Sequence, residues 1–106
     1  MSARPTVMSG RWACVTAGEY DERLWRVVVN EAVVDAVVQE SGHAPSLVRA
    51  AIVAHEVAHA TAPRGIAREA DERQARAAAI AAAGAAVVEA IDRALLTEWH
   101  ADCSGS

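Results

Sequence analysis

The decapeptide AIVAHEVAHA, residues 51–60, decides how the rest of the chain is read. It holds His55-Glu56-Val57-Ala58-His59, an H-E-x-x-H arrangement inside an apolar run. On an α-helix the two histidines stand one turn apart and point the same way, so both imidazoles can reach one metal ion. Glu56, next to His55, is placed to take a proton from a water held by such an ion and return it to a leaving amine. Two ligands and a general base are therefore local, and a third ligand must come from elsewhere. The alternative is a buried helix with two incidental histidines. The flanking Ile52, Val53, Ala54, Val57, Ala58 and Ala60 suit a helix set deep in a fold, and an acid-rich segment follows closely.

Working outward, Pro45 suits the first position of the helix that carries the motif. That helix is expected to run to about Thr61, because Pro63 and Gly65 end it. Val48, Ile52, His55 and His59 share one face, so the histidines continue an apolar stripe. Upstream, EAVVDAVVQE (residues 31–40) has Val33, Val34, Val37 and Val38 at helical spacing, and residues 41–44 break it. LWRVVVN (24–30) reads as a strand, since β-branched residues favour a pleated surface. RWACVTA (11–17) also has strand character, with GEYDER (18–23) as the turn of a hairpin. Residues 1–10, polar and containing Pro5, read as a loose arm. Downstream, residues 66–100 read as helical with a break at Gly84, and 101–106 as a frayed tail. The expectation is one α+β domain over residues 1–106: a small N-terminal β-hairpin or sheet followed by three to four helices.

Composition narrows the function classes. A net charge of −4 argues against nucleic-acid binding, which calls for a basic patch. The longest apolar run, residues 77–88, is too short to span a bilayer, and residues 1–10 lack the apolar core of a signal peptide. Cys14 and Cys103 lie far apart; a disulfide is open, and two free thiols in a reducing, cytoplasmic compartment is the simpler reading. With aromatic content of 4% and no Phe, the core must be built of small and branched aliphatic side chains, with Trp12, Trp25 and Trp99 as its few large pieces.

VVVNEAVVDAVV followed by LVRAAIVAHEVAHA, a strand and a short helix leading into H-E-x-x-H, resembles the gluzincin zinc peptidases. The HtpX-like and minigluzincin members are the nearest in pattern, and the likeness covers about residues 25–79. The resemblance implies a Zn2+ cofactor, Glu56 as catalytic base, and a third ligand from a Glu on the next helix, within E-x-x-A-D or E-x-x-A-N. In READERQARAAA (68–79), Glu72-Arg-Gln-Ala75 fits E-x-x-A, but Arg76 stands where the family has Asp or Asn. Glu69-Ala-Asp71 keeps the Ala-Asp pair, but Ala67, four residues before Asp71, cannot ligate. The family pattern favours Glu72. A sharp return at Pro63-Arg64-Gly65 favours Glu69 as the alternative.

The remaining candidates are weaker. His100, Asp102 and Cys103 could ligate if the last helix folds back, and otherwise are tail residues. His43 suits a loop or cap, and Tyr20 could stabilise an oxyanion but falls on the expected turn. The expected partner is a peptide or protein substrate, held by edge pairing to strand 24–30. A non-catalytic module of the same fold with a protein partner, or an unrelated helical protein with a chance motif, are the competing readings.

Overall fold

The computed structural model describes residues 4–13 and 16–98. Three strands, β1 (Thr6–Gly10), β2 (Gly18–Asp21) and β3 (Arg26–Asn30), precede four helices. These are α1 (Glu31–Ser41), α2 (Pro45–Ala60), α3 (Arg68–Ala83) and α4 (Ala85–Glu98). The architecture is α+β, with a mixed sheet of order β1-β3-β2. β1 runs parallel to β3, Thr6 opposite Arg26, and β2 runs antiparallel, Gly18 opposite Val29.

β3 lies at the centre of the sheet because its valines can be buried. Val27 and Val29 point into the fold and are almost fully covered. β1 and β2 need no such pattern, since both are edge strands held by backbone pairing and remain largely exposed. This corrects three expectations. Residues 6–10, expected as part of a loose arm, form β1. Among the described residues, 11–17 connects two strands instead of forming one. The expected turn supplies β2, and the reversal falls at 22–25, where Asp21 Oδ1 accepts from the Arg23 and Leu24 N–H groups. Gly18 and the charged residues around it signal a turn locally, and only pairing with β3 makes them a strand.

Asn30 joins the two halves of the fold. Its side chain is fully buried where β3 ends and α1 begins. Oδ1 accepts from the Ala32 N–H (3.1 Å), capping α1, and from the Trp12 N–H (3.3 Å). Nδ2 donates to the carbonyls of Thr16 (2.9 Å), Trp12 (3.2 Å) and Ala13 (3.4 Å). One amide thus hydrogen-bonds backbone groups along the described part of the β1–β2 connection.

The helices follow their sequence signals. α1 buries Val33, Val34 and Val37 and stops at Gly42, whose φ of 75° favours glycine. α2 opens on Pro45, and α3 and α4 meet at Gly84, with φ of 95°. The core joins Val29, Val33, Val37, Val48 and Ile52 to Ala79, Val87, Val88, Ile91 and Ala94. No aromatic residue is among the buried hydrophobic residues described. Trp12 and Trp25 are only half-buried, and Trp99 lies outside the described residues. Alanines make up much of the packed faces of α3 and α4, with Ala75, Ala79, Ala90 and Ala94 buried.

Glu31, in the first turn of α1, accepts from Arg49 of α2 through both oxygens (3.0 and 2.8 Å) and from the Ser9 hydroxyl of β1 (3.1 Å). The Arg49 hydrogen bonds hold its carboxyl below the ordinary value, outweighing burial, which raises it. A carboxyl lowered in the folded state adds stability above its unfolded value and loses it as pH falls through the folded one. Glu31→Gln is therefore expected to lower the Tm at neutral pH. That deficit should vanish as the pH is taken below the ordinary Glu value of about 4.3. Thermal melts of both proteins across this range test it, and a constant gap would assign the effect to packing.

Candidate metal centre

α2 carries its motif out of the core. Val48 and Ile52 are buried, and one to two turns later His55 and His59 lie at the boundary of a cavity of about 680 Å³. The His59 side chain is the more covered, at 11% exposure. α3 returns along α2 after the 61–67 connection and brings Glu72 over both rings. Glu72 Oε1 is 3.6 Å from His59 Nε2, and Oε2 is 4.0 Å from His55 Nε2. One ligand atom from each of His55, His59 and Glu72 lies within 4.8 Å of the others. Bond lengths near 2.0–2.1 Å put tetrahedral zinc donors about 3.3 Å apart. The 58% exposed Glu72 side chain has the freedom to close that gap. Two imidazoles and a carboxylate are also the donor types that divalent zinc takes, so the group fits a metal ion.

Glu69 is exposed and is not part of this cluster. The physical reason is where α3 begins. Its helix starts at Arg68, and that phase leaves Glu69 on the exposed side of the first turn while Asp71 of the same turn and Glu72 face the imidazoles. His43 lies at the α1–α2 connection, and His100, Asp102 and Cys103 fall outside the described residues, as does Cys14.

Both histidines meet a carboxylate on their second ring nitrogen. His55 Nδ1 is 2.7 Å from Glu56 Oε2, a hydrogen bond that raises the His55 pKa against the opposing effect of burial. His59 Nδ1 is 3.0 Å from Asp71 Oδ1. Asp71 Oδ1 is buried without a hydrogen bond, so that approach is close in distance but not aligned with the ring N–H direction.

Tyr20 is on β2, not on a turn, because 18–21 pairs with β3. Its ring stacks on His59, centroids 6.0 Å apart and planes 16° from parallel. Burial, then the negative charges of Glu22, Asp71, Glu56 and Glu72, raise its pKa, so its hydroxyl stays a donor. Gly18, at the start of the same strand, is where the sheet touches the motif. A Cβ there would lie 2.8 Å from Ile52 Cγ2 and 3.0 Å from Glu56 Cγ. Sequence reasoning passes over Gly18, because a lone glycine before charged residues reads as a turn.

The cavity has an apolar side, including Ile52, Ala79, Val88, Ile91 and Leu95, and a polar side with the cluster. Arg76 pairs with Asp92 of α4 (2.7 Å) and lines the wall. No protein-family model, curated protein or solved structure matches the chain. The geometry therefore carries the functional reading. Among the described residues, no helix is long and apolar enough to cross a membrane.

Proposed function

We propose that the chain is a zinc-dependent peptidase of minimal gluzincin type, with His55, His59 and Glu72 as the metal-holding residues. The observation that carries this is the convergence of both Nε2 atoms and the Glu72 carboxylate at one wall of an open cavity. When bound, zinc supplies Lewis acidity, which acidifies an attacking water and polarises a carbonyl. Glu56, at 7% exposure on the same wall, receives the proton and delivers it to the leaving amine.

The peptide is held by β2. β3, which contains most of the expected 24–30 strand, is paired on both sides and offers no edge. β2 is the outer strand, and Gly18 and Tyr20 line the cavity. An extended substrate adds to its open side through main-chain hydrogen bonds. The Tyr20 hydroxyl is the donor available to the developing oxyanion.

The Glu56–His55 hydrogen bond favours a second reading, a non-catalytic module with the same metal site and a protein partner. There Glu56 orients a ligand and performs no proton transfer. Hydrolysis of a mixed peptide pool by the zinc-loaded protein separates the two. The peptidase reading expects Glu56→Gln to lower the rate by about 10²–10⁴-fold, the usual scale of acid–base assistance, with zinc retained. The non-catalytic reading expects no hydrolysis from wild type, and a lower zinc affinity in Glu56→Gln.

A further inference from the structure

We propose that Asp71 is the positioning residue for His59: its carboxylate keeps the ring proton on Nδ1 and leaves Nε2 bare toward Glu72. The assignment rests on reading the cluster as a metal centre, and it concerns a contact that the motif does not contain. Asp71 Oδ1 is buried, has no hydrogen bond, and sits 3.0 Å from His59 Nδ1. A buried carboxylate oxygen needs a donor. If Nδ1 carried a lone pair, two electron-rich atoms would face each other at that distance with no water between them. With the proton on Nδ1, alignment of the ring with Oδ1 turns the same approach into an N–H···O hydrogen bond.

Two neighbouring rings flank His59. Tyr20 covers one face of His59, and the rings of His55 and His59 meet edge-on, 4.6 Å between centroids and 79° between planes. Nε2 faces Glu72. His55 already has the equivalent arrangement, Nδ1 hydrogen-bonded to Glu56. Asp71 therefore gives the second histidine what Glu56 gives the first. Asp71 immediately precedes Glu72, so one helical turn of α3 supplies both a ligand and the group that aims a ligand. A carboxylate on the far nitrogen of a metal-binding histidine fixes its tautomer and raises its basicity.

The test is nitrogen-15 NMR of the His59 imidazole in the full chain before zinc is added, at a pH where the ring is neutral. Zinc affinity is measured on the same samples by competition with a chelator. Wild type is expected to show the Nδ1–H form. Asp71→Ala should move His59 toward the Nε2–H form and weaken zinc binding by about 10–100-fold. Asp71→Asn keeps the shape and an acceptor oxygen, so a smaller shift of the same sign is expected, and it decides the matter if the alanine variant does not fold. A wild-type Nε2–H form overturns the proposal, as does a folded variant with an unchanged tautomer. A tautomer that follows Asp71 in a protein that takes up no zinc supports the orienting contact and refutes the metal centre alone.

Discussion

Asn30→Ala is expected to destabilise the protein by about 3–5 kcal/mol, enough to leave a domain of this size marginal or unfolded. The estimate follows from what the side chain holds. Loss of the cap on the Ala32 N–H costs about 1 kcal/mol. The Trp12 N–H and the carbonyls of Trp12, Ala13 and Thr16 lose the same partner, and a hydrogen bond of this kind is worth roughly 1 kcal/mol net. Asn30→Asp is no rescue, because it keeps Oδ1 but removes all three donations and buries a charge. Urea unfolding measures the loss, and a cost below about 1 kcal/mol would show that the connection is held by other contacts. The effect should reach the site. Thr16, bonded to Asn30, lies just before Gly18 and Tyr20, so its loosening moves the strand that faces His59.

His59→Ala is expected to abolish zinc-dependent stabilisation. A ligand that binds only the folded state adds about 2.7 kcal/mol at a concentration 100 times its Kd. In a chain of 106 residues this raises the Tm by roughly 10–20 °C. His59→Ala removes a donor nitrogen and takes away the Nδ1 proton that approaches Asp71 Oδ1. The loss of affinity should exceed the roughly 10–100-fold that an orienting partner governs, so it should be larger than that of Asp71→Ala. Melting curves with and without zinc read this directly. A His59→Ala protein that keeps the wild-type zinc shift would remove His59 from the ligand set.

Much of this fold is legible in the chain, and the reasons differ by element. The α1 valines, Pro45 before α2, Pro63 and Gly65 after it, and Gly84 between α3 and α4 are local signals, each acting within a turn or two of helix. β3 is legible because its valines are buried. β1 and β2 are not, because exposed edge strands are selected for backbone pairing, and pairing is invisible until the partner is placed. The spacing of His55 and His59 is a property of one helix and can be read directly. The choice between Glu69 and Glu72 cannot, since it depends on the residue at which α3 starts after the 61–67 connection. Asp71 and Gly18 are less legible still, because their significance comes from contacts with α2 made at long range in sequence.

The central claim is that His55, His59 and Glu72 hold one zinc ion. X-ray absorption at the zinc edge of the purified, zinc-loaded chain tests it most directly, together with metal content in Glu72→Ala and Glu69→Ala. The predicted result is one zinc per chain with two imidazole nitrogens and otherwise oxygen donors. Glu72→Ala should lower the affinity strongly and Glu69→Ala should leave it unchanged. Sulfur in the coordination shell, loss only in Glu69→Ala, or a chain that takes up no zinc would contradict it.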